Sequence, residues 1–486
     1  MPLSRNVIVP LVVACALFME QMDGAIIATA LPRISQSLHT DPLHLNLAIT
    51  SYMFALAVFI PLSGWIADRF GARTVFRSAI VVFTFGSIAC GLSNSLAELI
   101  LARILQGAGG AMMVPVGRLV LLRTIPKAQL VDAMAWVTAP ALIGPVLGPP
   151  IGGIIVTYAS WRWIFLLNVP IGLLGFYMAT KYVADIRGRQ DEPLDLKGFI
   201  LVALALTGMV FGFETVGRHL VSNYLVGGFL VAGIMCGFLY VMHAKRIEHP
   251  IVDLGLFKYP TYRASLTGGS MFRVAIGSLP FLLPLLMQYG FGMTPAMSGF
   301  ITLASAAGAA LMKICATPLI RLLGFKPILV ANTVINTLFL GACATFSPQS
   351  GIAVIFITLL IGGFFRSLQF TALNTIAFAE IPEGRLSRAN TLYNMMQQLT
   401  LSLGVAVGAL ILNLTLHLHS TSGANLQTQD FWPAFLGVAV LSLLSGGAFL
   451  RLAPNAGAEV SGHGVSGRQD GPKAAAEEAA HKDPAG

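Results

Sequence analysis

The apolar residues of this chain recur in runs of roughly 20, the length that crosses a bilayer as a helix, separated by short polar connections. Fourteen such spans are predicted, near 8–31, 45–66, 75–95, 97–118, 132–157, 163–184, 197–216, 223–243, 264–289, 297–320, 327–347, 352–378, 391–415 and 431–451. An even count puts both termini on one side. The connections at 67–73, 184–197, 243–250 and 382–388 are rich in Lys and Arg. The alternate ones are short and hold only Arg33, Arg162 and Arg218. Basic connections face the cytoplasm, so both termini are expected there. The expectation is an all-α membrane protein with lipid as its solvent.

Composition agrees. The chain is 56% hydrophobic and 10% charged, with a mean hydropathy of +0.77, whereas a soluble domain carries roughly 25% charged residues. That excludes an ordinary globular enzyme. The net charge of +9 follows from where the basic residues lie and reads as a topology signal, so no nucleic-acid partner is expected. Cys15, Cys90, Cys236, Cys315 and Cys343 all fall inside apolar runs without metal or redox spacing. No signal peptide is expected, because the first run is too long and ends in ALPRI. The tail from Pro454 to Gly486, rich in Gly, Ala and charge, is expected to be disordered.

Polar residues inside the runs are the candidates for function. Glu20 and Asp23 interrupt the first, in FMEQMDGAIIATALP (18–32). A carboxylate in hydrocarbon is costly, so it must face protein or water. Three residues apart, the two acids lie within about 60° on a helix. Two carboxylates that close in low dielectric do not readily both ionise. The pair can then hold one proton near neutral pH, which is the property of a proton carrier. The alternative is that one acid pairs permanently with a buried cation such as Arg103.

GWIADRFGAR (64–73) forces two helix ends together in a short loop. Gly64 permits contact, Gly71 tolerates positive φ, and Asp68 can accept from arginines or from a helix N-terminus. Arg69 and Arg73 complete it. TPLIRLLGFKPIL (317–329) repeats part of this pattern at Arg321, Gly324 and Lys326, without an Asp, and suggests two related halves. In LARILQGAGG (101–110), Arg103, Gly107 and Gly110 share a face, with Gln106 beside them. In ALIGPVLGPPIGGII (141–155), Gly144, Gly148 and Gly152 recur every four residues, with Gly153 adjacent, and make a groove for another helix. Pro145 and Pro149 are expected to bend that helix. Trp161 and Trp163 fit an interfacial belt. In the C-terminal half, Arg273 and Gln288 share a side of span nine. Arg366, Gln369 and Asn374 share one of span twelve, and Asn390, Asn394, Gln397 and Gln398 lie along span thirteen. No acid appears within the spans of this half. Lys313 is expected to snorkel to the cytoplasmic face. Glu98, Glu214, His219, His417 and His419 read as interfacial residues.

Taken together the motifs resemble the major facilitator superfamily, in its fourteen-helix drug:proton antiporter branch. GWIADRFGAR is similar to the family loop G-x-L-A-D-R-x-G-R-R, with Ile66 and Ala72 departing. RILQGAG resembles the fourth-helix motif R-x-x-Q-G-x-G, GPVLGPPIGG the antiporter motif, and WRWIFLLNVPIG the branch signature. Asp23 and Ala30-Leu31-Pro32 match the family's first helix, whereas Ala25, Ala28 and Glu20 do not. The resemblance implies a six-helix bundle at 1–190, two inserted helices and linker at 191–262, a second six-helix bundle at 263–453 and the tail at 454–486.

It further implies a proton-coupled exporter of amphipathic small molecules or drugs in the cytoplasmic (inner) membrane. Read with the paired acids of the first run, Asp23, Glu20 and Arg103 would couple protons. Gly64, Asp68, Arg69, Gly71 and Arg73 would gate the cytoplasmic side. The cavity would be lined by Gln106, Arg273, Gln288, Arg366, Gln369, Asn374, Asn394 and Gln397. The partners are a small-molecule substrate, protons and lipid. No cofactor or metal is expected, and a monomer suffices. Two alternatives are an exporter of an anionic metabolite, suggested by the cationic second half, and a facilitator or importer without proton coupling. No nucleophile–base constellation supports an enzyme.

Overall fold

The computed structural model describes residues 5–40, 42–188, 192–215, 222–418 and 427–463, with a few helical residues, among them Pro145, Pro149, Glu214 and His417, in backbone only. Among the described residues the protein is entirely helical. In hydrocarbon every backbone N–H and C=O must be satisfied within its own segment, and a helix does this. Thirteen helices there are long and apolar enough to cross a membrane by length and composition. That is one fewer than the fourteen expected. The fifth expected span falls on α6 (Leu130–Tyr158), a continuous 29-residue helix outside those thirteen.

The first half comprises α1 (Arg5–Leu38), α2 (Pro42–Phe59), α3 (Ser63–Phe70), α4 (Ala72–Leu92), α5 (Leu96–Thr124), α6, the single turn α7 (Trp163–Leu166) and α8 (Asn168–Tyr182). A hairpin of α9 (Leu196–Thr215) and α10 (Asn223–Ala244) follows. The second half holds α11 (Pro260–Gly277), α12 (Leu279–Leu285), α13 (Pro295–Leu323), α14 (Phe325–Ala344), α15 (Ile352–Ile376), α16 (Leu386–Leu418) and α17 (Thr428–Leu450). The halves repeat one packing scheme. α1 lies on α6 as α11 lies on α16, α4 on α5 as α14 on α15, and α4 on α8 as α14 on α17. The two matching loops agree in backbone: Gly71 (φ 89°) joins α3 to α4 and Gly324 (φ 76°) joins α13 to α14. Both conformations suit glycine, which lacks a Cβ.

The halves meet along α6 with α13 and α15, and along α3 and α5 with α16. The inserted hairpin sits over the second seam, because α9 packs on both α2 and α16. The loop at 67–73, the two linkers flanking the hairpin and the α15–α16 turn gather at one end of the molecule, here termed the basic end. There Trp65 donates to the Glu192 carbonyl (3.1 Å), Arg388 pairs with Glu192, and His243 meets Asp195 (2.8 Å).

Two expectations change. The tail does not leave the fold at Pro454: a turn and the short α18 (Ala458–Ser461) dock on the basic end, burying Val460 and pairing Lys127 with Glu459 at 3.1 Å. Residues 464–486 lie outside those described, as do His219 and His419 and the side chains of Glu214 and His417. Span nine is not one regular helix. It breaks at Ser278, between α11 and α12, and then widens into a π-turn over Leu286–Gly290. The five cysteines are unpaired.

Candidate functional site

Asp23 and Arg103 form an ion pair at 2.6 Å, both 0% exposed. The pair is the centre of a polar knot inside the first half. One Asp23 oxygen receives Arg103 Nη1. The other accepts from Gln106 Nε2 and from Asn168 Nδ2, each at 2.8 Å. Gln106 and Asn168 both also reach Ser87 Oγ, at 2.6 and 3.2 Å. Arg103 Nε donates to the Ala48 carbonyl (3.2 Å), and its guanidinium lies 4.2 Å from the centre of the Tyr52 ring. Five helices, α1, α2, α4, α5 and α8, thus fasten one buried charge pair. Each charge is compensated and each carboxylate oxygen hydrogen-bonded, which offsets much of the cost of burying the pair, and only Arg103 Nη2 of that guanidinium is left without a hydrogen bond. Asp23 thus meets the buried cation named in the second of the two sequence alternatives.

Glu20 is placed differently. It lies one turn earlier on α1, is 8% exposed, and meets the Tyr52 hydroxyl at 3.5 Å. Gly110 passes close by, since a Cβ there would stand 3.5 Å from Glu20 Cγ. Tyr52 therefore touches both systems, its ring against Arg103 and its hydroxyl against Glu20.

The glycine repeat of α6 receives α1 on the same stretch. A Cβ at Gly144 would stand 3.1 Å from Gln21 Cβ, and one at Gly148 would stand 2.9 Å from Ala25 Cβ. Gly152 is buried, whereas Gly153 has nothing within 4 Å of its Cβ position. The backbone of α6 remains helical through Pro145 and Pro149.

At the basic end, Asp68 links the halves. It accepts from Arg123 at the end of α5 (2.5 Å) and from the Ser387 hydroxyl of α16. Gly64 makes this approach possible: a Cβ there would come within 2.5 Å of Thr391 Oγ1. Arg123 is the partner that the sequence reading missed. Arg69 is exposed and Arg73 half-buried. The seam between α6 and α13 has the same design with the acid moved. Asp132, at the start of α6, accepts from the Thr317 hydroxyl of α13 and pairs with Arg321 at 3.5 Å. This answers the missing Asp of the second loop, since the other half supplies it. Deeper in, Asn390 donates to the Pro115 carbonyl (2.6 Å), and Lys313 rests its ammonium on the Trp136 ring of α6.

The predicted cavity residues divide. Arg273 donates to the Tyr393 hydroxyl, which donates to Asn374 Oδ1 (2.8 Å). Asn374 reaches Thr138 of α6 at 3.4 Å, and Gln397 receives Arg118 of α5 at 3.3 Å. These residues meet where the halves join. Asn394 bonds within its own helix to Asn390 (2.7 Å), and Gln369 is 0% exposed. Arg366 turns to Ser305 of α13 (2.8 Å), inside the second half, and Gln288 lies in the π-turn at the opposite end. Gln106 belongs to the Asp23 knot. Trp163 is exposed, but Trp161 is buried against Phe165. Glu98 caps α5 by accepting from the Asn94 amide (2.8 Å). Among the described residues no group of His, Cys, Asp and Glu could hold a metal.

A family profile described as Major Facilitator Superfamily matches residues 13–256 and 265–482. The chain belongs to the major facilitator superfamily. It is therefore a multi-pass membrane transporter of a family that is not one of enzymes. It is 35% identical over 444 residues to MdtD of Salmonella heidelberg (strain SL476), described as a multidrug resistance protein, covering 91% of this chain and 94% of that one. It is 36% identical to MdtD of Escherichia coli O139:H28 over the same shares. Two solved superfamily folds superpose. The human organic anion transporter MFSD10 does so with a TM-score of 0.63 at 13% identity, covering 92% of this chain and 100% of that one. The proton:xylose symporter XylE does so with a TM-score of 0.60 at 12% identity, covering 91% and 95%.

Proposed function

We propose that this transporter is a proton-coupled exporter of amphipathic small molecules, working by alternating access across the inner membrane as a monomer. Similarity to proteins described as multidrug resistance proteins supports export of drug-like compounds. The topology proposed is fourteen spans with the basic end and both termini in the cytoplasm, in keeping with the charge of its loops. The cross-half contacts of Asp68, Asp132 and Asn390 cluster at that end. They support a state closed to the cytoplasm.

The observation that carries the coupling is the contrast between the two acids of α1. Arg103 is taken up by Asp23, and Glu20 is left with a long contact to a hydroxyl. A lone buried carboxylate is stable only as the neutral acid. Glu20 is therefore the group that gains and loses a proton as the halves rock. Asp23, in a network that joins five helices, holds the first half rigid around it. When substrate arrives from the cytoplasm, exchange at Glu20 changes the charge of the same face, which links export to proton entry.

The test is transport of a fluorescent amphiphile in proteoliposomes with an imposed pH gradient. Glu20→Gln is expected to abolish gradient-driven accumulation while exchange of internal for external substrate continues. Full gradient-driven transport by Glu20→Gln would remove Glu20 from the mechanism.

A further inference from the structure

The join between the halves contains two arginines that, among the described residues, form no ion pair with an acid. Arg118 comes from α5 of the first half and is 4% exposed; Arg273 comes from α11 of the second and is 0% exposed. Their guanidinium carbons lie 5.1 and 4.7 Å from the centre of one ring, that of Tyr393. The two charges are therefore within about 10 Å of one another, roughly one Debye length even in salt solution. Their hydrogen bonds go to neutral groups, Arg118 Nη2 to Gln397 and Arg273 Nη2 to Tyr393. Arg118 Nη1, Arg273 Nη1 and Arg273 Nε are buried without a protein partner. So are both ends of the Gln369 amide.

Arg103 also keeps one buried nitrogen, Nη2, without a partner, but its charge is answered by Asp23, and no such answer meets Arg118 or Arg273 among the described residues. A buried cation without a counter-charge is expensive, and two brought together by closure of the seam are more so. Arginine also presents paired, planar N–H donors that match a carboxylate. The feature is built by both halves, so it is completed when they close. Gly269 leaves room for the second cation, since a Cβ there would stand 3.0 Å from Arg273 Nη1.

We propose that Arg118 and Arg273, around Tyr393, bind a carboxylate of the exported substrate, so that the substrates are amphipathic organic anions. This rests on the exporter reading and adds the substrate's charge. The anion supplies the missing counter-charge, and its arrival from the basic end favours closing that end around it. An unliganded chain closes the same seam against two bare cations. The substrate thereby does part of the work of switching the state.

The test is binding to the full-length protein in nanodiscs, read by the fluorescence of dansyl-glycine and of its methyl ester. The free carboxylate is expected to bind at least about tenfold more tightly than the ester, as loss of one charged hydrogen bond predicts. Arg118→Gln and Arg273→Gln are expected to bring that ratio close to one, and Arg118→Lys to retain part of it even if the Gln variants fold poorly. Equal binding of acid and ester by the native chain, or an unchanged ratio in all three variants, overturns the proposal. Displacement of dansyl-glycine by inorganic phosphate at equal concentration overturns it in favour of a simple anion site. A preference seen in phosphatidylcholine but lost in phosphatidylglycerol discs overturns it in favour of a lipid headgroup. If the ratios behave as expected but neither probe is driven by a pH gradient, the exporter reading fails and the anion site stands.

Discussion

Replacing Asp23 by Asn keeps the size of the side chain and removes its charge. Arg103, fully buried, is then left with neutral partners. Removing one member of a buried pair costs about 3–5 kcal/mol. Part of this is offset here, because Arg103 keeps the Ala48 carbonyl, Gln106 Oε1 and the Tyr52 face 4.2 Å away. A cation over an aromatic ring is worth about 0.5–2 kcal/mol, so the net loss is about 2–4 kcal/mol. In Asp23→Asn with Arg103→Gln, both charges are gone, and at least half of the loss is expected to return. The double-mutant cycle then gives a coupling of about 2 kcal/mol or more, within the range of directly bonded residues. The assay is unfolding of the purified full-length protein by detergent titration, with the four chains side by side. Glu20→Gln is the control, since it strands no cation, and its change should stay within about 1 kcal/mol. A stable Asp23→Asn, or a cycle that sums to zero, would refute the idea that the pair organises the first half. An equally damaging Glu20→Gln would refute the division of labour between the two acids.

The glycine groove gives a second contrast. Gly148→Leu forces α1 and α6 apart and should destabilise the protein by about 1–3 kcal/mol in the same titration, whereas Gly153→Ala, with open space at its Cβ, should be neutral or slightly stabilising. Asp68→Asn weakens the link to Arg123 and Ser387; in a chain freed of native cysteines, a reporter at Thr391→Cys should be alkylated about tenfold faster, as loss of about 1.4 kcal/mol of closure predicts. Asp132→Asn breaks a pair whose side chains are about half exposed and should cost under about 1 kcal/mol in the unfolding titration; a larger loss would mean that Thr317, not Arg321, is the important partner.

Much of this was legible from the chain. Runs of apolar residues give helices because lipid leaves the backbone no alternative, and Gly71 and Gly324 mark turns by a backbone need that side chains do not hide. Arg103 and Gln106 share a face at helical spacing and do meet the same acid. What periodicity leaves open is what a face meets. Ser87, Asn168 and Tyr52 join Asp23 and Glu20 from other helices, and nothing local in their sequences marks them, although Asn168 lies within WRWIFLLNVPIG. Arg123 reads as one more basic residue at a helix end until α3 docks beside it. Arg366 and Asn374 are about 80° apart at 100° per residue, enough for one to face α13 and the other α16. Gln288 loses its phase with Arg273 because the break at Ser278 and the π-turn reset the count. The single helical turn at Ala458–Ser461 is stabilised by docking Val460, a tertiary effect that composition does not carry.

The two seam acids, Asp68 and Asp132, both belong to the first half, and the hydroxyls that meet them, Ser387 and Thr317, both belong to the second. Each half is therefore complementary to the other and not to itself. Two first halves would lack the hydroxyls these acids accept from, and two second halves would lack the acids. During synthesis the first half is made before its second half exists. The placement of two acids gives it a reason to wait for its own second half, so that correct assembly is written into the same contacts that later open and close.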